Sequence, residues 1–108
     1  VGPQVAKEIM FLADDVPAAR CEQLGIANRV VPAGDLAAEV DQLAGRLAEA
    51  PTKALALTKW LLNRSFESSR HTAFEEEAFA QDLLTASGDF NEGLTAFRER
   101  RAPEFKGW

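Results

Sequence analysis

The sequence predicts an all-α chain. Apolar residues recur at the three- and four-residue spacing of a helix in five stretches, whereas β-branched residues cluster only once, at positions 26–31. Proline, glycine and serine separate these stretches where helices are expected to begin or end. Together these features predict six helices with short connections and one short extended segment.

The first two predicted helices are short. The first covers residues 3–12, with Pro3 in its first turn, where proline is favoured. The second runs from Pro17 to Leu24 and ends at Gly25, which readily adopts the left-handed backbone of a helix stop. The apolar face of the first helix comprises Val5, Ile9 and Leu12.

The third and fourth predicted helices follow the extended segment. Asp35 is positioned to cap the third helix, and Pro51 ends it and starts the fourth, which runs to about Ser65. Both helices have an apolar stripe, which predicts that each covers a hydrophobic surface. The stripe of the third helix comprises Leu36, Val40, Leu43 and Leu47, and that of the fourth Leu55, Leu62 and Phe66, extended by Trp60.

The last two helices have acidic start signals. Thr72 to Glu75 fits a capping box at the start of a fifth helix that should run to about Thr85. Asp89 is the expected cap of a sixth helix that runs to about Arg101. The apolar face of the sixth helix comprises Phe90, Leu94 and Phe97.

Composition excludes several classes of protein. The 108 residues carry a net charge of −5, which is the wrong sign for a protein that coats nucleic acid. No stretch of 18 apolar residues suits a membrane-spanning helix, so no membrane partner is expected. The single Cys21 excludes an internal disulfide and a cysteine-rich metal site, and a cytoplasmic location is expected.

No residue pattern in the chain indicates a catalytic or metal site. His71 is the only histidine, and we interpret it as a solvated loop residue rather than a general base. Glu75, Glu76 and Glu77 are expected to lie at the positive end of the fifth helix, where their negative charges stabilise the helix. Cys21 lacks a histidine partner and is expected to pack as a small apolar residue.

The end of the chain is locally basic, because residues 98–106 carry four cations and two anions. Phe97 and Arg100 are three residues apart and are predicted to share a helix face. An aromatic ring beside a guanidinium suits a nucleotide, whose base stacks while its phosphate pairs with arginine. The alternative is that Phe97 lies in the core and the arginines complement the negative end of the helix.

Three stretches resemble one known family in order and spacing. They are residues 24–32 (LGIANRVVP) after the second helix, residues 50–63 with Ala50-Pro51 and Leu62-Asn63, and residues 89–106 with the ending F-R-E-R-R-A-P-E-F-K. The chain resembles the C-terminal third of the enoyl-CoA hydratase/isomerase, or crotonase, superfamily over essentially its whole length. Its start at Val1 rather than methionine fits a fragment of such a protein.

The resemblance implies an acyl-CoA thioester as substrate and no separate cofactor. Family members stabilise the thioester enolate with two backbone N–H groups and move protons with carboxylates. These groups lie in an α/β spiral domain that would precede Val1. We therefore assign no catalytic residue to this chain and expect it to be inactive alone.

The resemblance also implies a role for each part of the chain. Residues 1–33 would end the core region, and residues 34–108 would form a helical oligomerisation module that covers the active site. Phe97 would lie near the CoA adenine and Arg100 near its phosphate, often in a neighbouring subunit; lysine is commoner than arginine at that position. Family members form trimers or hexamers, and this chain alone could form a non-native assembly.

Two alternatives remain open at the level of sequence. The chain could be a stand-alone helical interaction module with no enzyme attached. The parent could instead catalyse another reaction of the superfamily, such as hydrolysis, decarboxylation or dehalogenation of an acyl-CoA. The sequence before Val1 would discriminate between them.

Overall fold

The computed structural model describes every residue, Val1–Trp108, and is helical without any β-strand. The predicted all-α class and the number of helices are confirmed. The helices are α1 (Pro3–Leu12), α2 (Ala18–Gln23), α3 (Leu36–Ala48), α4 (Thr52–Arg64), α5 (Arg70–Thr85) and α6 (Gly88–Glu99), with a 3-10 turn at Ala33–Asp35 before α3.

The chain divides into two compact units, Val1–Val40 and Asp41–Trp108. The first unit contains α1, α2 and the start of α3. In the second unit α4 packs on α5, and α5 packs on α6. The predicted division, in which residues 1–33 end a core region and residues 34–108 form a helical module, stays a prediction.

The first unit follows the sequence prediction except in its extended segment. Gly25 has φ +71° and ends α2 as expected. Residues 26–28 form bends, and residues 29–32 have no regular structure, so the predicted segment at 26–31 is wrong in its first half. Backbone N–H groups of Ile26 and Ala27 both donate to the carbonyl of Cys21, at 2.9 and 3.2 Å, and this continues the turn after α2.

The caps of α5 and α6 differ from those predicted. Ser69 caps α5 by accepting from the Thr72 N–H at 3.2 Å, so the cap lies three residues before the expected cap Thr72. Ser87 caps α6 by accepting from the Phe90 N–H at 3.2 Å. Since serine satisfies an orphan N–H as well as aspartate or threonine does, the earlier residue in each case takes the role.

Two aspartates expected as caps have other positions. Asp35 lies inside the 3-10 turn and its N–H donates to Pro32 O at 2.9 Å, so it does not cap α3. Asp89 lies in the first turn of α6, where its carboxylate serves the C-terminal segment. Gly88 is the first residue of α6.

The core is small, and the large apolar side chains lie mostly at the surface. Only Ala80 and Ala96 are buried apolar residues. The chain exposes 8806 Å², whereas a compact monomer of 11.8 kDa exposes roughly 5,900 Å² and two separate compact units roughly 7,000 Å². The stripe of α3 is exposed throughout: Leu36, Val40, Leu43 and Leu47.

No helix in the chain has the length and apolar character needed to cross a membrane.

Candidate functional site

The candidate site lies at the C-terminal end of α6, which is anchored at its other end by Ser87. The Ser87 side chain is 4% exposed, and its hydroxyl donates to Leu84 O of α5 at 2.6 Å while capping α6. Ala96, in the last part of α6, is also buried. The helix is thus held against the remainder of the unit at both ends, and the residue after Ala96 faces outward.

Phe97 is that outward residue, with 84% of its surface exposed. The alternative that Phe97 is a core residue is wrong for this chain. An exposed phenylalanine contributes little to the free energy of folding, because a phenylalanine stabilises the folded state mainly by burying its apolar surface. Its ring is available to contact another molecule or another part of a larger protein.

Arg100 lies immediately after α6 and has a left-handed backbone, with φ 56° and ψ 38°. The Arg101 N–H donates to Ala96 O at 3.1 Å, and the Arg100 N–H donates to Phe97 O at 3.3 Å. This pair of hydrogen bonds is the Schellman stop, in which glycine usually takes the left-handed position. An arginine there costs on the order of 1 kcal/mol of backbone strain.

Helix α6 ends at Glu99, whereas the predicted site required the helix to include Arg100. Because Arg100 has left the α-helical conformation, the expectation that Phe97 and Arg100 share a regular helix face is wrong. They instead lie on the last turn of α6 and on the residue that follows it.

Ion pairs separate the C-terminal cations into two groups. Arg101 binds both carboxylate oxygens of Glu92, with Nη1–Oε1 at 2.5 Å and Nη2–Oε2 at 3.0 Å, and its Nε donates to Glu99 at 2.7 Å. The pKa of the Arg101 guanidinium is raised by these two carboxylates. By contrast, Arg98, Arg100 and Lys106 have no carboxylate within ion-pair distance. These three charges remain available for an anion.

The C-terminal segment returns along α6 and is held by two carboxylates, an arrangement that we call the tail clamp (Asp89 and Glu92 with residues 101–108). Asp89 is 5% exposed and accepts from the N–H groups of Lys106 at 2.7 Å and Gly107 at 2.8 Å. Glu92 accepts from the Glu104 N–H at 2.8 Å. This clamp was not predicted from the sequence, although two carboxylates at i and i+3 of one helix share a face.

An apolar cavity of about 370 Å³ lies beside the clamp in the second unit. Neither Phe97 nor Arg100 lines it. It is bounded mainly by the start of α4, the end of α5 and the start of α6, with Pro51, Ala54, Leu84, Phe90, Leu94 and Phe105 among the apolar lining residues. Such a lining suits an apolar group.

The remaining candidate residues have structural partners. His71 lies in the first turn of α5 rather than in a loop, is exposed, and has Nε2 3.4 Å from Glu75 Oε1. Glu76 binds Arg64 of α4, with Nε–Oε1 at 2.6 Å, and this contact raises the pKa of Arg64. Cys21 is half-buried, with its Sγ 3.7 Å from Val16 O.

The three glutamates of α5 are not at its start. Since α5 begins at Arg70, Glu75, Glu76 and Glu77 lie beyond its first turn, which has no acidic residue. Their predicted role at the positive helix end is therefore wrong, because that effect falls off within one turn. No group of three or more histidine, cysteine or acidic side chains is placed to hold a metal ion.

The sequence model of the enoyl-CoA hydratase/isomerase family matches residues 1–108. The chain belongs to this family. It is 35% identical over 105 residues to a crotonyl-CoA hydratase of Syntrophomonas wolfei, covering 97% of this chain and 40% of that protein. It is 32% identical to a 1,2-epoxyphenylacetyl-CoA isomerase of Escherichia coli, covering 94% of this chain and 39% of that protein.

The structural comparison agrees with the sequence comparison. Crystalline enoyl-CoA hydratase subunit I of Geobacillus kaustophilus HTA426 superposes with a TM-score of 0.94 at 40% identity, covering 100% of this chain and 42% of that one. The match lies in the C-terminal part of the crotonase fold, which confirms the expected fold class. The chain thus spans about 40% of the length of the curated relatives it matches.

The tail clamp leads to a prediction about pH. The Arg101 hydrogen bond, and then that of the Glu104 N–H, lowers the pKa of Glu92 from 4.5 to about 2. A carboxylate whose pKa is depressed in the folded state stabilises fully above its unfolded pKa and loses that contribution as pH falls through the folded pKa. Glu92→Gln should therefore lower Tm at pH 7, and the difference from wild type should shrink between about pH 4.5 and pH 2.

Thermal unfolding followed by circular dichroism at several pH values measures this difference. Glu77→Gln, a change at an exposed glutamate without an ion pair, is the matched control and should give a small difference at every pH. A Glu92→Gln effect that is independent of pH would contradict the assigned role of its charge.

Proposed function

We propose that this chain is the helical C-terminal part of an acyl-CoA hydratase or isomerase, which covers the CoA site and supports oligomerisation. The observation that carries the proposal is the exposed ring of Phe97 in the last turn of α6, followed three residues later by Arg100, which has no carboxylate partner and a strained left-handed conformation. Strained residues that the surrounding structure maintains concentrate at functional sites. Family membership over residues 1–108 supplies the class of substrate, an acyl-CoA thioester.

The proposed division of labour places the chemistry outside this chain. Residues 1–33 would complete the core region, and residues 34–108 would form the module that covers the site. The two backbone N–H donors and the carboxylates that the family uses would belong to the preceding spiral domain. CoA would be part of the substrate, with no separate cofactor.

At the proposed site, the CoA adenine stacks on Phe97 and a phosphate of CoA pairs with Arg100. Arginine suits this role because its planar donors bind phosphate oxygens in pairs. Free cations at the negative end of α6 are also stabilised by the helix dipole, so their placement does not depend on bound CoA. The nucleotide would belong to the same or a neighbouring subunit.

The names of the relatives indicate two types of reaction. One relative is named as a hydratase of crotonyl-CoA and another as an isomerase of 1,2-epoxyphenylacetyl-CoA. Both act on CoA thioesters, and this common feature is what the C-terminal site would recognise. Hydration and isomerisation are therefore the two reactions that we propose for the whole protein.

The first prediction concerns Phe97 and Arg100 in the full-length enzyme. Phe97→Ala and Arg100→Gly should each raise KM for acyl-CoA more than they lower kcat, because they remove binding shared by ground and transition states. Losing a charge-assisted phosphate contact at a partly screened site should raise KM by roughly three- to thirtyfold. Tm should not fall in Arg100→Gly, since glycine relieves the left-handed strain.

Ala13→Gly is the matched control, because Ala13 is the other non-glycine residue with a left-handed backbone, at φ 54°. Like Arg100→Gly, Ala13→Gly should not lower Tm, and it should leave KM for acyl-CoA unchanged. Unchanged KM in both site variants would show that Phe97 and Arg100 do not bind the nucleotide.

The second prediction concerns this chain by itself. The 108-residue chain should not hydrate crotonyl-CoA, because the proposed oxyanion donors and carboxylates are contributed by another part of the protein. Loss of the enoyl-thioester absorbance after adding purified chain measures the activity. Turnover above the rate without protein would contradict the proposed division of labour.

The third prediction is that the isolated chain associates. Its exposed apolar faces, including the α3 stripe, exceed what a monomer of this size normally leaves in water. Sedimentation velocity at micromolar concentrations should show dimers, trimers or larger species. Leu43→Glu should shift this distribution toward smaller species, whereas Gln42→Glu, the same new charge on the polar side of α3, should not. A wild-type monomer at all concentrations would contradict the oligomerisation role.

A further inference from the structure

The tail clamp controls how the chain leaves α6. Residues 102–108 form no helix or strand, so their backbone N–H groups need other acceptors. Asp89 accepts from two of them with separate oxygens, Lys106 N–H to Oδ1 and Gly107 N–H to Oδ2. In return the Asp89 N–H donates to Trp108 O at 3.0 Å. The end of the segment is thereby fixed beside the start of α6.

Glu92 fixes the first part of the same segment. Its carboxylate binds the Arg101 guanidinium with both oxygens and also accepts from the Glu104 N–H. Asp89 and Glu92 thus hold the returning segment at three successive points along α6: residue 101, residue 104 and residues 106–107. The direction of the chain after α6 is determined at each of them.

The end of the returning segment is also closely packed against its neighbours. A methyl group on Gly88 would lie 3.0 Å from the Trp108 ring and 3.1 Å from the Trp108 carbonyl oxygen. Gly107 has φ +81°, and a methyl group there would meet Thr52 Oγ1 of α4 at 2.5 Å. A side chain at Gly107 would therefore clash with α4, whereas one at Gly88 would require Trp108 to shift by a few tenths of an ångström.

Arg100 is the one residue between the end of α6 and the clamped segment. The chain can return along α6 only if it reverses there, and the left-handed conformation of Arg100 makes that reversal. An arginine released from this constraint would favour the right-handed region. The clamped segment and the two hydrogen bonds of the Schellman stop thus meet at Arg100, from whose backbone the guanidinium side chain projects.

We propose that Asp89 is a positioning residue for the CoA-phosphate site, which it serves by clamping the returning segment and thereby holding Arg100 in its left-handed conformation. This inference rests on the proposed function, because it assigns the phosphate contact to Arg100. Asp89 itself is buried at the opposite end of α6 from Arg100. Its effect reaches the ligand through the backbone of residues 101–107.

Asp89→Asn in the full-length enzyme tests the proposal, since asparagine keeps the shape but offers one oxygen to two N–H groups. KM is measured for an acyl-CoA and for the same acyl group on pantetheine, which lacks the nucleotide. The ratio of KM for the pantetheine thioester to KM for the CoA thioester should fall by roughly three- to tenfold. A purely structural role would lower the amount of folded enzyme and leave this ratio unchanged.

A second variant and a control accompany Asp89→Asn. Gly88→Ala pushes on Trp108 without changing any charge and should lower the same ratio. Asp82→Asn removes a charge from an exposed position on α5 and should leave the ratio unchanged. In an Arg100→Gly background, Asp89→Asn should have no further effect on the ratio, because both changes remove the same contact.

The outcomes separate this inference from the proposed function. If Arg100→Gly lowers the ratio but Asp89→Asn and Gly88→Ala do not, the clamp does not position Arg100 and the inference is overturned while the proposed site stands. Additive effects of Asp89→Asn and Arg100→Gly would also overturn it. If Arg100→Gly leaves the ratio unchanged, the proposed phosphate site is wrong and the positioning role is wrong with it.

Discussion

The pairing of the buried Asp89 carboxylate with the N–H groups of Lys106 and Gly107 organises the C-terminal part of this chain. A carboxylate suits two adjacent N–H groups because it offers two acceptor oxygens, and charge-assisted hydrogen bonds are stronger than neutral ones. Removing it would leave two backbone donors without partners in a partly buried place, at a cost of about 1–3 kcal/mol each. The irregular segment after α6 is ordered by this side chain rather than by its own secondary structure.

The same segment shows why neighbouring arginines have different roles. Arg101 is committed to Glu92 and Glu99, so its charge is largely compensated within the protein. Arg100, one residue earlier, has no such partner and points from a left-handed backbone. Of the four cations in residues 98–106, Arg101 is therefore paired within the protein, whereas Arg98, Arg100 and Lys106 are not.

The small core sets a second constraint on the protein. Helical stripes that should cover a hydrophobic surface, such as that of α3, instead face outward. Burial of apolar surface is the main favourable term in folding, so exposed stripes of this size favour contact with a further protein surface. The relatives are about two and a half times as long as this chain.

By itself, the sequence determined the helical class, the number of helices and the family. Helical spacing of apolar residues and the glycine stop at Gly25 are local signals, and they survive in any context. The sequence also pointed to Phe97 and Arg100, because an aromatic beside a cation near a helix end is visible in one short stretch.

Tertiary structure alone decided the start of α6, the exposure of Phe97 and the tail clamp. Serine and aspartate compete as caps with similar energies, so the choice of Ser87 over Asp89 depends on a contact 17 residues away, between Asp89 and Lys106. Spacing along α6 could not show that Phe97 is uncovered, because which face of a helix is buried depends on its neighbours. The left-handed conformation of Arg100 accompanies the return of the segment along α6, and no local preference of arginine predicts it.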